Sequence, residues 1–166
     1  MNNSALQGQG SKAPDAELNV LLVDDDPICV FIQQRVVELS GHCATINSAP
    51  NGKEALEFLQ RAATGSCPTP DLILLDLHMP VMTGMAFLEA FRFLDFPGKE
   101  HIAIVLLTSS VWESDKEYAL SLGAAHYIQK PFTTQSFETL IDLLYPKHNP
   151  LAVASGNLSK ARPANY

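Results

Sequence analysis

The sequence predicts an α/β fold: a doubly wound, five-stranded parallel sheet with five helices on its two faces. Three observations carry this. Short apolar runs alternate five times with stretches whose apolar residues recur at helical spacing, a rhythm that calls for crossovers between parallel strands. Two of the runs, Leu72-Ile73-Leu74-Leu75 and Ile102 to Leu107, are continuously apolar, as strands covered on both faces must be. Both runs stop at polar residues, Asp76 in one case and Thr108-Ser109-Ser110 in the other.

Residues 1–17 are rich in Asn, Gln, Ser and Gly, bury too little to offset ordering entropy, and read as a flexible arm. Leu18 to Val23 is the first strand, broken by Asp24-Asp25-Asp26-Pro27. Pro27 suits a first helical position with Asp26 as its N-cap, and Ile28, Phe31, Ile32, Val36 and Leu39 follow as an apolar stripe that Gly41 ends. A weaker strand covers Cys43 to Ser48, and Asn51-Gly52-Lys53-Glu54 resembles a capping box ahead of Ala55, Leu56 and Leu59. Gly65 to Pro70 is loop. The central strand, ending at Asp76, is followed by a loop marked by Pro80 and Gly84, the second read as a residue of wide conformational freedom. Gly84 to about Leu94, with Met85, Leu88 and Phe91, makes a third helix.

Pro97 and Gly98 punctuate before the fourth strand. Ser114-Asp115-Lys116-Glu117 reads as a capping box that opens a fourth helix through Tyr118 and Leu122, closed by Gly123. Ala125 to Ile128 is the last strand, and Thr133 or Thr134 caps a fifth helix striped by Phe137, Leu140, Ile141 and Leu144 and stopped by Pro146. Residues 147–166 return to Asn, Pro, Ser and Gly and read as a disordered tail, which leaves one domain over residues 18–146. The flavodoxin-like strand order 2-1-3-4-5 follows, because it places the most apolar strands, the first, third and fourth, at the centre.

Composition narrows the function. The chain is 46% hydrophobic and 17% charged, ordinary for a globular protein, and 18 acidic against 11 basic residues give a net charge of −7. With no basic patch, direct nucleic-acid binding is not expected. Cys29, Cys43 and Cys67 are odd in number and lack paired spacing, so neither a disulfide framework nor a zinc site is indicated and a reducing cytoplasm fits. Met1 to Pro14 has no apolar core of a secretory signal, and the longest aliphatic run is too short for membrane insertion.

In this order Asp24, Asp25, Asp76, Thr108 and Lys130 end their strands at one rim, where an open α/β sheet forms its ligand crevice. Three converging carboxylates call for a cation. Oxygen-only donors suit a hard ion such as magnesium, which keeps waters and takes one or two carboxylates plus phosphate oxygens. Asp76 can then act as a carboxylate nucleophile toward phosphorus, with Lys130 on the phosphoryl oxygens and Thr108 hydrogen-bonded to the product. Asp26 reads as a helix cap only, Ser109 and Ser110 compete with Thr108, and Tyr127 equally suits a half-buried sheet aromatic. His78, two residues past Asp76, either hinders or orients attacking water or points at solvent.

Val23-Asp24-Asp25, Asp76 with Met79-Pro80 and Gly84, Leu107-Thr108, and Tyr127-x-x-Lys130-Pro131-Phe132 resemble the receiver domain of two-component response regulators, over about residues 18 to 145. The resemblance implies that Asp76 is the phosphoacceptor. It implies that Asp24, Asp25, Asp76 and the backbone carbonyl of His78 hold Mg2+, with Mn2+ as a substitute. By the same resemblance Lys130 contacts phosphate, and Thr108 and Tyr127 form the switch pair. It further implies a bacterial, single-domain phosphoprotein of the cytoplasm, catalysing only its own phosphorylation and dephosphorylation. Its phosphodonor would be a sensor histidine kinase or histidine phosphotransfer protein. With no room for a DNA-binding module, output is expected through a downstream protein or a further phosphorelay step, from a monomer or a weak phosphorylation-dependent dimer.

Three competing readings are weaker. A haloacid-dehalogenase-like phosphatase should carry a second aspartate where His78 stands, and a flavodoxin-like cofactor binder needs a phosphate-cradling loop where three acids stand. A pseudo-receiver would have no use for the complete phosphorylation set.

Overall fold

Parallel pairing of the apolar runs builds the sheet. The protein is described by a computed structural model covering residues 18–42, 44–109 and 112–146. The strands are β1 (Leu18–Val23), β2 (Ala44–Ala49), β3 (Leu72–Asp76), β4 (Ala103–Thr108) and β5 (His126–Gln129), in the order β2-β1-β3-β4-β5. All neighbours are parallel, as expected. The helices are α1 (Pro27–Leu39), α2 (Gly52–Ala63), α3 (Gly84–Arg92), α4 (Glu113–Ser121) and α5 (Thr134–Leu144), with a 3-10 turn at Lys99–His101. The arm at residues 1–17, the tail at residues 147–166, Cys43 and Ser110 lie outside the described residues.

Alternation along each central strand divides the core in two. Leu21, Val23, Ile73, Leu75, Ile104 and Leu106 face one way and pack with α2, α3 and α4 through Leu59, Phe87, Leu88 and Ala119. Val20, Leu22, Leu72, Leu74, Val105 and Leu107 face the other way and meet α1 and α5 through Val37, Phe137, Leu140 and Ile141. The doubly wound arrangement is thus written into a period of two, and it leaves the strand ends as the place where polar side chains gather.

The structure corrects several local expectations. The α1 stripe meets the core only at Val36: Ile28, Phe31, Ile32 and Leu39 are exposed, and the other buried residues of α1 are Gln33 and Val37. Apolar residues lie on two stripes of this helix, and spacing alone does not say which one the sheet takes. Ser114 does not open α4. The helix starts at Glu113, with Trp112 in the N-cap position but without a side-chain capping hydrogen bond, and Glu113 and Asp115 place negative charge in its first turn. Asn51 caps α2 by accepting from the Glu54 N–H at 3.0 Å, but the return contact runs side chain to side chain rather than to the Asn51 backbone. Of the two candidates for α5, Thr133 is the cap, paired with Ser136 in a capping box.

The end of α5 is tied to the sheet far from the polar rim. The Tyr145 hydroxyl donates to the Asp71 carbonyl at 2.9 Å, and the Asn19 N–H donates to Asp71 Oδ2 at 2.8 Å, where β1 and β3 begin. Burial, with a smaller contribution from the Asp71 charge, pushes the Tyr145 phenol up to about 12. A raised folded-state value means the stability contributed by the neutral phenol is complete below the unfolded value of about 10 and is lost as pH climbs toward the folded one. Tyr145→Phe should therefore cost about 1 kcal/mol at neutral pH through the missing hydrogen bond. It should also flatten the fall in stability above about pH 10, read as urea midpoints for both proteins across that range. Parallel curves for the two proteins would assign the alkaline loss to other groups.

Candidate functional site

β3 is buried along its whole length and delivers Asp76 at its carboxyl end with 8% of its surface exposed. Its neighbour β1 ends one residue before Asp24, which is 3% exposed. On the other side the ladder continues past β5, because the Lys130 N–H donates to the Thr108 carbonyl at 2.9 Å. That bond brings Lys130 to the rim. Its Nζ lies 2.7 Å from Asp76 Oδ1 and 3.2 Å from Asp24 Oδ2.

Both carboxylates are held on their remaining sides. Asp76 Oδ2 accepts from the His78 N–H at 2.8 Å, and Asp24 Oδ1 accepts from the Asp26 N–H at 3.0 Å. Asp24 Oδ2 also accepts from Gln33 Nε2 at 2.8 Å. Burial works against the Lys130 ammonium, but the hydrogen bonds and charges of Asp76 and then Asp24 outweigh it and hold Lys130 above the usual lysine range. Two buried acids share one lysine, so the pocket keeps a surplus of negative charge suited to a further cation.

Other expected residues fall into place unevenly. Thr108 is buried at the end of β4, one residue beyond Leu107, the register partner of Asp76. Tyr127 is half-buried, stacked on His126, with the Lys116 ammonium 4.3 Å above its ring. Asp26 is the α1 cap, accepting from the Ile28 N–H at 2.8 Å. The His78 side chain is exposed. The convergence of three carboxylates is met by two: Asp25 is exposed, and among the described residues no group of three or more His, Cys, Asp or Glu side chains is arranged to hold a metal ion. The Lys130 ammonium lies between the two buried acids instead.

Two residues carry more than their sequence positions suggest. Gly84 is not in the left-handed region; Val81 is the residue of its loop that adopts a positive φ, at 69°. What Gly84 supplies is closeness, since a Cβ there would stand 2.4 Å from the Asp76 carbonyl oxygen. Gln33 gave no sequence signal. One of two adjacent amides, Gln33-Gln34, in a mixed helix reads as a surface residue until its contact with Asp24 is known.

Comparison with known proteins matches residues 20–142 to the response regulator receiver domain. A protein-glutamate methylesterase/protein-glutamine glutaminase of Treponema pallidum is 34% identical over 122 residues, covering 72% of this chain, which spans only 28% of that protein. The chemotaxis response regulator CheY4 of Vibrio cholerae is 26% identical with a TM-score of 0.64, covering 78% of this chain and 99% of that one. A two-component response regulator of Cytophaga hutchinsonii is 25% identical with a TM-score of 0.70, covering 78% and 98%.

Proposed function

We propose, from the premise that this chain belongs to the response regulator receiver domain family, that Asp76 takes a phosphoryl group from a phosphohistidine and that the acyl phosphate changes how the domain meets a partner protein. The observation that carries the proposal is the Lys130 ammonium bridging two buried acids, Asp76 and Asp24. In the transfer, an Asp76 carboxylate oxygen attacks phosphorus, the phosphorus–nitrogen bond of the donor breaks, and the electron pair returns to the imidazole. Lys130 neutralises charge on the phosphoryl oxygens, and the buried walls of β1 and β3 restrict water. Mg2+, or Mn2+ in its place, would be held by the two buried carboxylates Asp24 and Asp76 with the His78 carbonyl, and by Asp25 turning in from its exposed position, oxygen donors of the kind a hard cation takes. Such an ion supplies neutralisation of charge on the transferring phosphoryl group.

The added charge of roughly −1.5 to −2 then acts on the neighbours. Thr108, buried at the end of β4, would hydrogen-bond a phosphoryl oxygen, and Tyr127 would act as its switch partner by leaving the Lys116 ammonium and turning inward. The altered face is that of α4, β5 and α5, which we read as the signal to a downstream protein or the next carrier in a phosphorelay. No helix among the described residues is long and apolar enough to cross a membrane, and a cytoplasmic monomer or weak phosphorylation-dependent dimer suits this role.

A phosphodonor must cover the rim to reach Asp76, and the exposed side of α1 begins there with Ile28 at 68%, Phe31 at 62% and Ile32 at 49% exposure. This apolar strip suits a helical sensor kinase or histidine phosphotransfer protein. Phe31→Glu should leave phosphorylation by acetyl phosphate unchanged while slowing transfer from a phosphohistidine protein about tenfold. Equal slowing of both reactions would show damage to the pocket instead. The basic test is acetyl phosphate with Mg2+ followed by intact mass measurement. One phosphoryl group, labile to hydroxylamine, is expected, and an unchanged mass counts against the function.

A further inference from the structure

We propose that Gln33 is a positioning residue that fixes the Asp24 carboxylate for a divalent cation, an assignment that rests on the receiver reading above. Gln33 lies on the inner side of α1 beside Val36 and Val37 and is 3% exposed. Burying an amide there is unfavourable unless its polar atoms are paired. Only half of them are: Nε2 donates to Asp24 Oδ2 at 2.8 Å, while Oε1 is buried with no partner among the described residues.

The amide orientation follows from the acid. Turned over, Oε1 would face a carboxylate oxygen, so Nε2 must face Asp24 and Oε1 is left over. An unsatisfied buried acceptor costs about 1–3 kcal/mol. Leucine or methionine would fill a similar volume without that cost, so packing does not call for glutamine and Asp24 does.

The contact gives Asp24 a restraint that survives the reaction. Its Oδ2 is shared between Gln33 and Lys130, and Lys130 is also bound to Asp76 Oδ1. Lys130 is the group that follows the phosphoryl oxygens; Gln33, fixed in the core, stays. With the Asp26 N–H on Oδ1, both Asp24 oxygens keep an anchor that does not depend on the lysine. Partners that orient a metal-binding carboxylate are commonly worth 10–100-fold in metal affinity.

The test is calorimetric titration of Mg2+ into the full chain, comparing wild type, Gln33→Leu, Gln33→Met and Asp24→Asn, with thermal unfolding of each. Gln33→Leu should raise the Mg2+ dissociation constant about tenfold while its unfolding midpoint holds or rises, because the orphan acceptor has gone. Gln33→Met should behave alike. A dissociation constant within about twofold of wild type in both variants would overturn the proposal. So would failure of both to fold, which would make Gln33 structural. Absence of Mg2+ binding in the wild type would instead strike the receiver reading itself.

Discussion

Asp76→Asn should gain no phosphoryl group from acetyl phosphate and Mg2+ under the conditions expected to modify the wild type. The expectation follows from how the other acids are committed. An asparagine side chain offers an amide nitrogen and a carbonyl oxygen, neither with the nucleophilicity of a carboxylate. Asp24, the other buried acid among the described residues, has its oxygens occupied by the Asp26 N–H, Gln33 and Lys130. Asp25 is exposed to water and Asp26 is spent on capping α1. No neighbour stands ready to substitute. The fold should survive, because the side-chain carbonyl of the introduced asparagine can still accept from the His78 N–H and Lys130 keeps Asp24, now in a one-to-one pair. Intact mass of both proteins after the same exposure decides it. Equal gains would put the nucleophile elsewhere.

Much of this was legible in the chain, for identifiable reasons. Strands β3 and β4 are covered on both faces, so their sequences are continuous hydrocarbon and could hardly be mistaken. Their ends were legible too, since polar residues stopping such runs must lie at the rim. Asp76 and Lys130, which are 54 residues apart in sequence, could be brought together by strand order alone. The inward side of α1 was not legible, because its apolar residues form two stripes and only packing against β1 and β2 selects between them. Nor was Gln33, whose importance lies in an atom-to-atom contact nine residues from Asp24 rather than in any periodic pattern. Gly84 stood out as a glycine but for another reason: its backbone is ordinary, and a hydrogen in place of a Cβ is what lets α3 start against the peptide group of Asp76.

That close approach makes Gly84→Ala the most damaging small substitution expected here. The new Cβ would lie 2.4 Å from the Asp76 carbonyl oxygen, 3.0 Å from Leu77 Cα and 3.2 Å from the Asp76 carbonyl carbon. All three are backbone atoms, so no side chain can swing aside. Alanine should gain up to about 1 kcal/mol in helix propensity over glycine, yet overpacking of this kind costs about 1–3 kcal/mol or more. The chain can relieve the overlap in two ways. Either α3 shifts outward, weakening the Gly84 N–H bond to the Leu77 carbonyl now at 3.0 Å, or the end of β3 moves and carries the Asp76 carboxylate off its Lys130 contact. The second route bears on function, since misplacing a reacting group by about 1 Å can cost on the order of 100-fold in rate. Gly84→Ala should therefore unfold at lower urea and accept phosphate at least about tenfold more slowly. Gly65→Ala is the control: Gly65 has a φ of 75° with nothing within 4 Å of a Cβ, so alanine there strains the backbone far from the pocket. It should lose stability while keeping the wild-type rate of phosphorylation. A Gly84→Ala protein as stable and as quickly phosphorylated as wild type would mean that the contact between α3 and the Asp76 peptide group has no part in holding that side chain in place.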